Sequence, residues 1–140
     1  MKGKTMTIGL TRSAIDLGIV VRELEPMLRF YRDVLGFEPV AARPVPMDIE
    51  ITRLMCGESQ IKLVSLKEVP TEASPPGGLF GATGIRYWTI WVDDIDEIFS
   101  RATTNGAPVA MEIAEIRPGV RAAIVEDPEG NWVEFVDSRE

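Results

Sequence analysis

The chain has 140 residues, 45% hydrophobic and 26% charged, which suits one globular domain with a real hydrophobic core. A net charge of −7 sets the overall surface against nucleic acid and anionic membrane as partners, while leaving room for a local cationic pocket. A single cysteine, Cys56, excludes an intramolecular disulfide, and the absence of histidine excludes a Cys–His nucleophile.

Residues 1–13 read as a polar, irregular arm. They carry Lys2 and Lys4 but no long apolar stretch. Ile15–Val21 reads as an apolar strand, too short to span a membrane, so the expected location is the cytoplasm. Glu25 and Pro26 open a helix, because proline suits a first helical turn. Leu28, Tyr31, Val34 and Leu35 recur at helical spacing, and Gly36 ends the run. A strand is expected over Phe37–Ala42, after which Pro44 and Pro46 break the pattern.

Ile51–Cys56 and Gln60–Leu66 predict a hairpin around Gly57-Glu58-Ser59. Cys56, near the strand end, reads as a small apolar residue. Residues 69–84 are rich in proline and glycine and read as the linker between the halves and as a loop over the site. Ile85–Val92 then reads as a strand, and Asp94 as the N-cap of a helix with Ile95, Ile98, Phe99 and Ala102 on one face. Asn105-Gly106 stops that helix. Strands follow near Pro108–Glu112 and Val120–Val125. Asp127-Pro128-Glu129-Gly130 is a turn into a last strand at Trp132–Val136. Asp93, Asp94 and Asp96 are expected to cap and solvate the helix start rather than to bind metal.

The order β-α-β-β-β therefore occurs twice. Asp16 and Tyr87 begin the first strand of each unit 71 positions apart, and Lys62 and Glu134 lie in the last strands 72 positions apart. A repeat of about half the chain predicts two similar modules with a site between them. The expected organisation is one domain over 1–140, with module one at about 14–68, the linker at 69–84 and module two at about 85–137.

Strand alternation assigns faces. Ile61, Leu63, Val133, Phe135, Trp88 and Ile90 suit a core. That leaves Asp16, Lys62, Tyr87, Thr89, Trp91, Trp132 and Glu134 on the opposite faces. With a hairpin loop at Glu58-Ser59, Arg53 and Met55 join the face of Lys62. A mixed aromatic and charged lining suits a concave small-molecule site.

Gly18-Ile19-Val20-Val21-Arg22-Glu23-Leu24, Phe30-Tyr31-Arg32-Asp33-Val34-Leu35-Gly36-Phe37, Trp91-Val92-Asp93-Asp94-Ile95-Asp96 and Asp127-Pro128-Glu129-Gly130-Asn131-Trp132-Val133-Glu134-Phe135 carry a family likeness. Over residues 14–137 the chain resembles the vicinal oxygen chelate superfamily, which includes glyoxalase I, bleomycin-resistance proteins, extradiol dioxygenases and methylmalonyl-CoA epimerase. The resemblance implies an α+β fold of two βαβββ modules whose curved mixed sheets enclose a central cavity, and a homodimer. Metal-using members place ligands on the first and fourth strands of each module. Here those positions hold Asp16, Lys62, Tyr87 and Glu134. An ammonium cannot ligate a cation and repels it, so no metal and no other cofactor is expected.

The expected partner is a small organic molecule bearing a carboxylate or carbonyl. Lys62 would take over the metal's positive charge and steady a developing oxyanion, with Glu134 or Asp16 moving a proton and Tyr87 as a polar contact. Arg53, Met55, Trp91 and Trp132 would bind or wall in the ligand. The expected function is a metal-independent isomerase or lyase. The alternative is a non-catalytic, antibiotic-like binder; a metal-dependent lyase or dioxygenase fits less well. In the plain structural reading, Lys62 only fills a dead metal site with a salt bridge.

Overall fold

A computed structural model describes residues 8–43 and 45–139. Residues 1–7 of the expected arm, and Pro44, lie outside the described residues; residues 8–13 are exposed and form no helix or strand.

The first module runs β1 (Asp16–Val20), α1 (Leu24–Leu28) continuing into a π-helical turn (Arg29–Val34), β2 (Glu38–Pro39), β3 (Ile49–Cys56) and β4 (Ser59–Leu66). A short 3-10 turn, Gly78–Phe80, interrupts the linker. The second module runs β5 (Tyr87–Trp91), α2 (Ile95–Thr104), β6 (Val109–Arg117), β7 (Val120–Glu126) and β8 (Trp132–Ser138). Two four-stranded sheets result, ordered β1-β4-β3-β2 and β5-β8-β7-β6. In each, the first strand pairs parallel with the last and the remaining pairs are antiparallel. This is the α+β arrangement of paired βαβββ modules expected from the repeat.

One apolar cluster joins the modules. Leu54, Ile61 and Leu63 come from the first sheet, Val125, Val133 and Phe135 from the second, and Met27, Tyr31, Ile95 and Ala102 from the helices. Each fully buried large apolar side chain of this kind contributes about 1.5–3 kcal/mol. Because strand side chains alternate, burying Ile61, Leu63, Val133 and Phe135 turns Lys62 and Glu134 away from that core.

Four sequence expectations need correction. The first helix begins at Leu24, and beyond Arg29 it is π-helical rather than α-helical. Leu35 N–H donates to the Phe30 carbonyl at 2.9 Å, and the chain leaves through Gly36 at φ 83°. The wider turn buries the adjacent rings of Phe30 and Tyr31 together, edge to face at 4.8 Å. Apolar spacing alone does not separate this from an α-helix.

The strand expected over Phe37–Ala42 shortens to Glu38–Pro39 on the sheet edge. Pro39 has no N–H to donate, which confines such a segment to an edge.

The hairpin turn is Gly57-Glu58, not Glu58-Ser59. Cys56 pairs with Ser59, and Gly57 has φ 60°, as the first central residue of a II′ turn requires. The one-position shift places Arg53 directly opposite Lys62.

Finally, β6 extends to Arg117, well past Glu112. Its pairing with β7 slips at three places, and each irregularity breaks the alternation by which a strand is read.

Candidate functional site

On the outward face of the first sheet, β1 and β4 bring Asp16 and Lys62 together. Lys62 Nζ lies 3.2 Å from Asp16 Oδ2, with the two side chains 31% and 36% exposed. At that exposure water screens the pair, so it contributes at most about 1 kcal/mol to stability. Arg53, on β3, faces Lys62 across the ladder. Its Nε is buried without a hydrogen-bond partner among the described residues. Gln60 stands opposite both Asp16 and Met55, and its Nε2 approaches Met55 Sδ at 3.8 Å.

The second sheet carries a different arrangement. Thr89 on β5 and Glu134 on β8 are cross-strand partners, and Thr89 Oγ1 donates to Glu134 Oε1 at 2.6 Å. Tyr87 is paired with Trp132 one step along the same face. No ion pair joins Lys62 to Glu134 among the described residues. Asp16 thus pairs with Lys62 on the first sheet, while on the second Glu134 pairs with Thr89 and Tyr87 lies opposite Trp132.

Between the modules, the edge strands β1 and β5 share no ladder, and cavities open along their seam. One, of about 280 Å³, is lined by Gly18 and Val20 from β1 together with Tyr87 and Trp132. Another, of about 410 Å³, is lined by Leu17, Cys56, Thr89 and Trp91. Burial pushes the Cys56 thiol up, which works against a thiolate nucleophile and supports its reading as an apolar wall. The aromatic residues named from the sequence thus line the seam. Asp16, Lys62, Arg53 and Glu134 lie outside the lining of these two cavities.

The linker packs onto the second sheet. Gly78 has φ 51°, and a Cβ there would enter the Trp132 ring. Arg86 holds the loop by donating from Nε to the Gly78 carbonyl at 2.8 Å and from Nη2 to the Pro75 carbonyl. Sequence reading placed Thr89 on the correct face without giving it a role. It did not single out Gln60, Gly78 or Arg86. The run of prolines and glycines before Arg86 was the available signal for the last two.

The donor set does not fit the divalent cation bound by metal-using relatives of this fold. The Asp16 carboxylate is engaged by an ammonium, Tyr87 offers a phenol, and among the described residues no three of His, Cys, Asp and Glu converge. The Asp93-Asp94-Asp96 run is a helix start. Asp94 Oδ1 accepts the Glu97 N–H at 3.1 Å, and Asp96 pairs with Arg121 at 2.9 Å. Among the described residues no helix is long and apolar enough to cross a membrane.

The sequence pattern of the Glyoxalase/Bleomycin resistance protein/Dioxygenase superfamily matches residues 14–135. A curated relative, the uncharacterized protein YwbC of Bacillus subtilis (strain 168), is 26% identical over 126 residues, 84% of this chain and 91% of its own. A glyoxalase family protein from Bacillus cereus superposes with a TM-score of 0.78 at 22% identity, covering 96% of this chain and 99% of that one. A glyoxalase I mutant from Zea mays gives 0.73 at 19% identity, covering 89% of this chain and 44% of that one. At those identities the two structures speak for the fold.

Proposed function

The chain belongs to the Glyoxalase/Bleomycin resistance protein/Dioxygenase superfamily, and from that premise we propose that it is a metal-independent isomerase or lyase moving a proton on a small oxygenated organic molecule. The observation that carries this reading is the Lys62–Asp16 pair, at 3.2 Å, standing where metal-using members hold ligands. A cation is kept at that position by the side chain itself.

In this mechanism a substrate carbonyl or carboxylate oxygen approaches Lys62. A proton alpha to that carbonyl leaves to a carboxylate, and negative charge develops on the oxygen, where the ammonium stabilises it. Glu134 is the proposed base. The Thr89 hydroxyl occupies one of its oxygens, which orients the carboxylate and leaves the other oxygen for the proton. Returning the proton to the neighbouring carbon completes an isomerisation; loss of a leaving group completes an elimination. Tyr87 offers a polar contact, while Trp91 and Trp132 wall in the apolar part. The two pairs sit on different sheets, so the substrate must span them. A homodimer, proposed with this reading, would cover Trp91, Ile85 and Phe80, which are 64%, 88% and 90% exposed.

A non-catalytic small-molecule binder is the second reading. It is favoured by the aromatic residues lining the open seam between β1 and β5. A thermal-shift screen of small carboxylates and carbonyl compounds, followed by NMR detection of deuterium uptake from solvent into each stabilising compound, separates the two. Uptake that depends on Glu134 supports the enzyme. Tight binding without exchange or turnover for every compound supports the binder.

A further inference from the structure

Arg53 and Lys62 place two cations at directly opposite positions of β3 and β4. Like charges at such positions work against a sheet. Asp16 answers Lys62 at 3.2 Å. Arg53 has no ion pair among the described residues, and its Nε is buried without an acceptor. A desolvated donor on a charged group is costly when left unmet. The two facing cations make this ladder position unfavourable by itself, and an anion between their heads relieves it.

We infer that Arg53 and Lys62 form an anion subsite that takes the carboxylate of an otherwise apolar monocarboxylic ligand. The inference rests on the proposal above that the Lys62 face meets the ligand. The carboxylate lies between the Arg53 guanidinium and the Lys62 ammonium, facing both heads. Opposite cross-strand β-carbons stand about 5 Å apart, so the two heads can close on one planar group. Arg53, Lys62 and Asp16 together leave one net positive charge, which matches a monoanion better than a phosphate dianion. The same face also presents Val20, Ile51, Met55 and Val64, an apolar surround for the rest of the molecule.

Benzoate and benzamide are a matched pair of probes, nearly equal in shape and different in charge. NMR titration of the full chain would follow the Arg53 Nε–H resonance. Benzoate is expected to shift it, and benzamide at equal concentration to leave it in place. Arg53→Gln should weaken benzoate at least about tenfold, and Arg53→Lys should recover only part, because an ammonium lacks the planar fork. An equal response to benzamide, or benzoate affinity unchanged in a folded Arg53→Gln variant, would overturn the inference. A stronger Arg53 response to inorganic phosphate would overturn the carboxylate assignment. If Arg53→Gln does not fold, the wild-type Nε–H response to the two probes decides the matter. Deuterium exchange absent while the Arg53 response persists sinks the isomerase or lyase reading alone. Exchange present without an Arg53 response sinks the subsite alone.

Discussion

The Tyr31 hydroxyl donates a 2.7 Å hydrogen bond to Asp127 Oδ2, tying the helix of the first module to the β7–β8 turn of the second across 96 positions of chain. Both residues are buried. Asp127 also accepts from the backbone N–H groups of Glu129 and Asn131, at 2.9 and 3.0 Å, and from Asn131 Nδ2 at 2.9 Å. Glu129, held in that turn, accepts from the Arg22 and Glu23 N–H groups just ahead of α1. One turn thereby organises itself and the start of the other module's helix.

Asp127→Ala leaves the buried Tyr31 hydroxyl and the part-buried donors of Glu129 and Asn131 without their acceptor. We expect it to lower unfolding free energy by about 3 kcal/mol, and Tyr31→Phe by about 1–2 kcal/mol. Urea denaturation measures both. A loss below about 0.5 kcal/mol for Asp127→Ala would show that the turn holds without its carboxylate.

Lys62→Met keeps much of the side-chain volume and removes the charge. It should abolish deuterium exchange on a substrate, or weaken ligand binding at least about tenfold, while costing about 1 kcal/mol or less in stability because the Lys62–Asp16 pair is partly exposed. The double variant Lys62→Met/Glu134→Gln controls for stranded charge. If both variants fold and handle the ligand as wild type does, Lys62 is a structural plug.

Gly78→Ala places a methyl group into the Trp132 ring at a backbone φ of 51°. The loop must move away from the second sheet. We expect altered tryptophan fluorescence and a stability loss of about 1–3 kcal/mol. Ligand affinity should fall with it if the loop borders the site; unchanged affinity would remove the loop from the binding surface.

The Arg121 guanidinium hydrogen-bonds Asp96 and holds its carboxyl below the usual carboxylate range. A depressed folded-state value means that the stabilising contribution is present above the ordinary aspartate range and is lost as pH falls through the depressed value. NMR titration should find Asp96 low in the wild type and ordinary in Arg121→Gln. Equal titration in the two proteins would show that the pair does not persist in solution.

Light scattering tests the homodimer. Twice the chain mass at micromolar concentration is expected, falling to one chain with Trp91→Glu if that exposed ring is covered by the second copy. A monomer in the wild type would discard the assembly.

The sequence by itself determined the βαβββ repeat, the core faces of the strands and the Asp-Pro-Glu-Gly-Asn turn. These follow from periods of two and 3.6 residues and from turn chemistry, which neighbouring residues encode. Ile61-Lys62-Leu63 and Val133-Glu134-Phe135 needed nothing more to set which side chain leaves the core. The tertiary structure decided which partner each outward group meets. Lys62 takes Asp16, Glu134 takes Thr89, and Arg53 takes no carboxylate among the described residues. The bond from Tyr31 to Asp127, the π-helical turn and the one-residue hairpin register belong to the same category. Pairings of this kind depend on gaps of a few ångströms between segments far apart in the chain. Packing sets such gaps, and a local pattern of residue types does not contain them.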